Sequence, residues 1–237
     1  MEIIPTILTK SYDDLKNKIA LVRGVVPVVQ VDICDGVYTQ AYTWPFRSNG
    51  SDREVPELDY HAQAILEERE GMPFWEDIDF ELDLMVCDAV ENFDLYTRFG
   101  PKRVVFHLEA QRDLEAFRDF LEGMDMYIRE TIQIGVAIKT TTPIENIFPL
   151  VPHIDFVQCM GVEHLGMQGQ DFDERVIDQI KNLREKFSEI TISVDGSVNT
   201  DTAMDLINAG ADRLVIGSAI FKTTDIIGTV QMFEGLN

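Results

Sequence analysis

Two stretches near the end of the chain, Ser193-Val194-Asp195-Gly196-Ser197 and Val215-Ile216-Gly217-Ser218, decide the reading of the fold. In each, a short β-branched segment leads into a glycine and a serine, directly in the second and through Asp195 in the first. That junction suits a buried parallel strand ending in a loop whose backbone amides, with a helix start behind them, can hold an anion. One Gly-Ser pair is weak evidence, because turns use glycine anyway. A third loop, Gly166-Met167-Gln168-Gly169-Gln170, follows another apolar run and extends the pattern.

Upstream the same rhythm repeats. Strand-like runs are expected at 3–8, 26–33, 80–86, 103–108, 132–138, 154–160, 190–194 and 213–216. Between them lie helical patterns at 11–22, 89–99, 114–123, 143–150, 173–187 and 199–209, with a closing helix near 225–233. Eight such alternations predict an α/β protein, a single TIM-type (β/α)8 barrel domain over residues 1–237. An open doubly wound sheet is the alternative. Ser11 reads as an N-cap, Asn199 as the cap of the segment starting at Thr200, and Gly210 as a helix stop. The rhythm breaks once, at residues 37–76, a long insertion after strand 2 that carries polar Arg47–Arg53 and an expected helix around 60–70. Its Trp44, Phe46, Phe74 and Trp75 are candidates for an interface between copies in a homo-oligomer, against simple packing of the insertion on itself.

Composition narrows the function classes. The chain has 237 residues, of which 45% are hydrophobic, enough to bury a large core. Its 42 acidic residues against 20 basic give a formal charge of −22, which repels nucleic acid and anionic lipid. Neither nucleic acid nor membrane is therefore expected as a partner. No apolar run approaches membrane-spanning length, and Met1-Glu2-Ile3-Ile4-Pro5 lacks the basic-then-apolar pattern of a secretory signal. Cys34, Cys87 and Cys159 are widely spaced and form no CxxC pair, so they are expected to be reduced thiols in a cytoplasmic protein.

Acids inside apolar strands are the next signal. Gln30 and Asp32 share one face of Val29-Gln30-Val31-Asp32-Ile33 by period-two alternation. Asp83 interrupts Leu82-Asp83-Leu84-Met85, and Asp195 ends its strand. If all point into a barrel, three carboxylates and an amide converge, and crowding must perturb their pKa values unless a cation or hydrogen bonds compensate. A single buried aspartate is as readily explained by a cap or a backbone hydrogen bond. Gly169, Gly196, Ser197, Gly217 and Ser218 are the candidate phosphate-binding positions. Thr6, Met85, His107 and Met160 are candidates for the substrate pocket, although core packing is the ordinary role of methionine and a structural role is as plausible for His107. His164 and Lys139 lie at loop or strand ends where a ligand could reach them.

Taken together, Pro5-Thr6-Ile7-Leu8, Val31-Asp32-Ile33-Cys34-Asp35-Gly36, Leu84-Met85-Val86, Phe106-His107-Leu108-Glu109-Ala110, Met160-Gly161-Val162-Glu163, Val194-Asp195-Gly196 and Ala209-Gly210-Ala211-Asp212 resemble the ribulose-phosphate 3-epimerase family. The resemblance implies a ribulose-phosphate-binding barrel and a small-molecule sugar phosphate as ligand. It further implies a two-base proton exchange at the carbon next to a ketone, through a metal-stabilised enediolate, with Asp32 and Asp195 as acids and metal ligands. Some positions depart from the family pattern. Where that pattern has histidines, this chain has Gln30 and Asp83, leaving an oxygen-only donor set of Gln30, Asp32, Asp83 and Asp195. Such a set favours Mg²⁺ or Mn²⁺ over Zn²⁺. The loop containing Gly169 is longer and less glycine-rich, and Ser197 replaces a glycine.

The leading expectation is thus a sugar-phosphate epimerase-like isomerase. A decarboxylase or aldolase-type enzyme on the same barrel is one alternative, weakened because no lysine follows Asp32 in an Asp-x-Lys-x-x-Asp pattern. A non-catalytic phosphosugar-binding barrel is the other.

Overall fold

The structure, a computed structural model, describes residues 1–47, 57–167 and 169–236. Residues 48–53 of the polar stretch in the insertion, and Gln168 of the glycine loop, lie outside the described residues.

Eight parallel strands close into a barrel: β1 (Glu2–Ile7), β2 (Val28–Cys34), β3 (Asp79–Met85), β4 (Arg103–His107), β5 (Gln133–Lys139), β6 (Phe156–Met160), β7 (Thr191–Asp195) and β8 (Arg213–Ile216). Each strand pairs with its sequence neighbours, and β8 returns to β1 through Ile3↔Leu214 and Pro5↔Ile216. All eight expected strands are present, with ends displaced by at most two residues and 213–216 matched at both ends, and the open-sheet alternative is excluded by closure. Alternation along the strands splits the chain into two interiors. Outward residues such as Val29, Val31, Ile33, Leu82, Leu84, Val104, Phe106, Ile192 and Val194 join the helices in the main core. Inward residues include the buried polar set of Gln30, Asp32, Glu81, Asp83, His107, Gln158 and Asp195.

The helices are α1 (Tyr12–Val22), α2 (Tyr60–Leu66), α3 (Phe93–Thr97), α4 (Leu114–Glu122), α5 (Met126–Thr131), α6 (Arg175–Lys186), α7 (Ala203–Ala209), α8 (Ser218–Phe221) and α9 (Ile226–Glu234). Ser11 caps α1 by accepting from the Asp14 amide at 3.2 Å. Gly210 ends α7 at φ 114°, a left-handed conformation that glycine tolerates. Asn199 accepts from the Asp201 and Thr202 amides, so it organises the turn ahead of α7, which begins only at Ala203.

Some helical expectations need correction. The stretch 143–150 makes only a short 3-10 turn at Ile144–Ile147, because Pro149 and Pro152 have no N–H to donate and clash with the preceding turn. The 89–99 segment is helical only at Phe93–Thr97; its start is taken by a local contact in which the Asn92 side chain donates to Asp88. Helix α5 was not expected; Asp125 caps it by accepting from the Tyr127 amide. In the insertion, Phe46–Arg47 pairs antiparallel with Glu57–Leu58, and α2 stops at Leu66, short of the expected 70. Trp44 is buried at 1% exposure against Phe99 and Tyr12, so it is not an interface residue, whereas Trp75 stays 62% exposed. Among the described residues, no helix is long and apolar enough to cross a membrane.

The barrel floor, at the N-terminal strand ends, is an ion cluster. Arg103 and Arg213 each bind Glu2, at 2.9 and 3.0 Å, and Arg103 faces fully buried Glu81 at 3.6 Å. Burial pushes the Glu81 carboxyl up to about 7 from an ordinary 4.5, against the pull of both arginines. Between those values the folded chain holds a proton that the unfolded chain releases, so this contribution to stability falls as pH rises. Thermal unfolding followed between about pH 5 and pH 8 should therefore show a flatter pH dependence in Glu81→Gln than in the wild type. An unchanged slope would exclude this titration.

Candidate functional site

At the opposite end of the barrel the strands deliver the acids. Every position of β2 is buried, and Asp32 sits in direct register with Asp83 of β3. Asp195 ends β7. One carboxylate oxygen from each of Asp32, Asp83 and Asp195 lies within 4.8 Å of the others. Their exposures are 7%, 0% and 8%.

Hydrogen-bond donors from neighbouring strands and from β2 itself hold this cluster together. Thr6, in register with Gln30, donates its hydroxyl to Asp32 Oδ1 at 2.6 Å. The Gln30 amide nitrogen bridges Asp32 Oδ1 and Asp195 Oδ2, at 2.9 Å each. Its own Oε1 is buried without a hydrogen-bond partner. Asp83 accepts from His107 Nε2 at 2.7 Å and from Gln158 Nε2 at 3.3 Å. Desolvation, followed by repulsion from Asp83, pushes Asp32 up to about 7, although bonds from Thr6 and Gln30 pull it down. Asp195 is raised well above an ordinary carboxyl by burial and by Asp32 and Asp83. For His107, burial pulls the ring pKa down, but the carboxylate and hydrogen bond of Asp83 outweigh it and leave a net rise.

A cavity of about 250 Å³ opens over the acids. Asp32, Asp195, Thr6, Met85 and Met160 line it, together with Gly169, Gly196, Ser197, Gly217 and Ser218. Neither lysine nor arginine lines it among the described residues. Gln30, Asp83 and His107 do not line it. His107 thus differs from the pocket position expected for it: it is fully buried behind Asp83, with its ring 5.6 Å from that of Tyr38. His164 and Lys139 are likewise not on the cavity wall. Ser197 adopts φ 54°, and its hydroxyl donates to the Gln170 carbonyl, so the side chain fastens the loop after β6.

Sequence reasoning missed Gln158 and Asp35. Gln158 is a polar residue inside the apolar Phe156–Met160 strand, the same signal that marked Gln30. Asp35 is 4% exposed and accepts from the amides of Val37, Tyr38 and Cys87, tying the start of the insertion to the end of β3.

The sequence model of the ribulose-phosphate 3 epimerase family matches residues 53–221. The chain belongs to this family. A ribulose-phosphate 3-epimerase from Mycobacterium bovis is 28% identical over 94% of this chain and 87% of its own length. The cytoplasmic isoform from Oryza sativa subsp. japonica is 27% identical over 94% and 89%. The enzyme from Eremothecium gossypii is 31% identical over 62% of this chain and 58% of its own length. The family's named members are isomerases of carbohydrate phosphates, and this chain is an enzyme of that class. Among solved structures, KGPDC from Streptococcus mutans in complex with D-R5P shares the fold at a TM-score of 0.69 and 14% identity, covering 99% of this chain and 95% of that one. A 3-hexulose-6-phosphate synthase matches at 0.65 and 14%, covering 100% and 99%.

Gly161 lets the Gly196 turn approach the end of β6 closely. A Cβ there would stand 2.5 Å from the Gly196 carbonyl oxygen, which is backbone and cannot swing away. Gly161→Ala should displace the Gly196 turn and destabilise the protein by about 1–3 kcal/mol in denaturant unfolding, the ordinary range for overpacking.

Proposed function

We propose that the protein epimerises a ketose phosphate of the ribulose 5-phosphate type by exchanging a proton at the carbon next to the ketone. The observation that carries this reading is that Asp32 and Asp195 are the two members of the acid cluster that line the cavity, from strands β2 and β7 on either side of β8 and β1. Their repulsion disfavours ionising both, so one stays a carboxylate while the other keeps a proton. The carboxylate removes the proton from the carbon, the charge spreads onto the carbonyl oxygen, and the other acid returns a proton from the opposite face. A carboxyl pushed up to about 7, as Asp32 is, gives and takes protons readily near neutral pH. Reversing the two roles converts the second epimer back to the first.

The phosphate would be held by the backbone amides at Gly169, Gly196, Ser197, Gly217 and Ser218, without a cationic side chain. Neutral amides can do this against the −22 charge of the chain because they act locally, at hydrogen-bond range.

The residues present fit a divalent cation. Buried acids compensated mainly by neutral donors leave negative charge unbalanced, and Gln30 Oε1 is an unpartnered buried oxygen. Asp32, Asp83 and Asp195 would hold the ion, and Gln30 would join once its amide turns. An all-oxygen set, without the two histidines of the family pattern, favours Mg²⁺ or Mn²⁺ over Zn²⁺. When bound, such an ion supplies positive charge beside the substrate oxygens that become negative. A cytoplasmic setting suits the three unpaired cysteines.

Incubation with ribulose 5-phosphate in D₂O should give the epimer with deuterium at the exchanged carbon, in the presence of Mg²⁺ or Mn²⁺. Asp32→Asn and Asp195→Asn should each lower kcat by about 10²–10⁴-fold, the usual worth of a positioned acid or base. Chelation should suppress turnover and added Mn²⁺ restore it. The absence of both epimer and deuterium under every metal condition sinks the proposal.

A further inference from the structure

Asp83 differs from the other two acids of the cluster. It does not line the cavity, and its two oxygens are held unequally. His107 takes Oδ1 at 2.7 Å, whereas Gln158 reaches Oδ2 at only 3.3 Å. Oδ1 is therefore committed, and Oδ2 is the oxygen left to meet a cation. A carboxylate free to turn about its last torsion has no strong rotamer preference of its own, so something must choose which oxygen faces the cluster.

The His107 ring is built to make that choice. It is fully buried at the end of β4, where it cannot swing to solvent. The Tyr38 ring lies against it, and the Gln111 side chain donates to the His107 carbonyl at 3.0 Å, fixing the backbone below it. With Asp83 as an acceptor, the bonded Nε2 is the nitrogen that carries hydrogen, an assignment made from the bonding pattern. The other ring nitrogen, Nδ1, is buried without a partner, so Asp83 is the one hydrogen-bond partner of the ring among the described residues.

We infer that His107 is a positioning residue for metal binding: by locking Asp83 Oδ1 it presents Asp83 Oδ2 to a divalent cation shared with Asp32 and Asp195. The inference rests on the metal reading above and deepens it. His107 itself touches neither substrate nor ion and acts through Asp83 alone. Partners of this kind orient a ligand that would otherwise have to be ordered when the ion arrives.

The test is Mn²⁺ binding to the metal-stripped full chain, followed by the electron paramagnetic resonance signal of free Mn²⁺, with circular dichroism melting to establish that each variant is folded. His107→Phe keeps a ring against Tyr38 but donates nothing, and should weaken Mn²⁺ binding by about 10–100-fold. His107→Asn, too short to reach Asp83, should lose as much and serves if the Phe variant does not fold. His107→Gln can return an N–H to Asp83 and should recover most of the affinity, which a purely space-filling role would not predict. A folded His107→Phe or His107→Asn chain that binds Mn²⁺ as tightly as the wild type overturns the inference while leaving the metal reading intact. A wild-type chain that binds no Mn²⁺ overturns both.

Discussion

Three carboxylates within 4.8 Å of one another, none more than 8% exposed, repel in a medium that screens them poorly. Isolated, such a cluster would expand or draw in water. Here each acid accepts from at least one donor on another strand: Thr6 on Asp32, Gln30 on Asp195, His107 and Gln158 on Asp83, with Gln30 also bonding Asp32 within its own strand. That arrangement requires β1, β2, β3, β4, β6 and β7 to stand around one centre at once, which only a closed barrel provides. The main apolar core therefore lies outside the strands, between sheet and helices. It supplies the favourable burial that offsets a polar interior.

The two ends of the barrel handle buried charge differently. At the floor, Glu2 and Glu81 face Arg103 and Arg213, and opposite charges largely cancel. At the mouth no lysine or arginine touches the acids among the described residues, and the only ionisable neighbour that donates to them is His107. The uncancelled end is the one that carries the cavity. Burial, and after it the mutual repulsion of the acids, raises Asp32 to about 7 and raises Asp195 well above an ordinary carboxyl, and the uncancelled charge is what a cation would neutralise.

Much of this was legible in the chain. Asp32, Asp83 and Asp195 announced themselves because a carboxylate inside an apolar, period-two strand has no cheap local explanation. Gly210 and Ser11 could be read as helix stop and cap because those roles depend on backbone chemistry within a few residues. Trp44 was misread, since an aromatic residue in a polar insertion carries no signal of whether it turns inward. The 143–150 helix was overextended, since apolar spacing outweighed the two prolines in the reading but not in the chain.

Local chemistry and periodicity, both properties of neighbouring residues, are enough for the sequence alone to determine eight strands, their alternation with helices, which strands carry acids, and the glycine turns at the far end. Partnership across the barrel was decided only by the tertiary structure. Gln30 and Asp195 are 165 residues apart, Asp83 and Gln158 are 75 apart, and Asp83 and His107 are 24 apart. No periodicity within a strand states which side chain of another strand it will face, because that depends on the register and closure of the whole sheet. For the same reason His107, read as a pocket residue, turned out to stand behind Asp83.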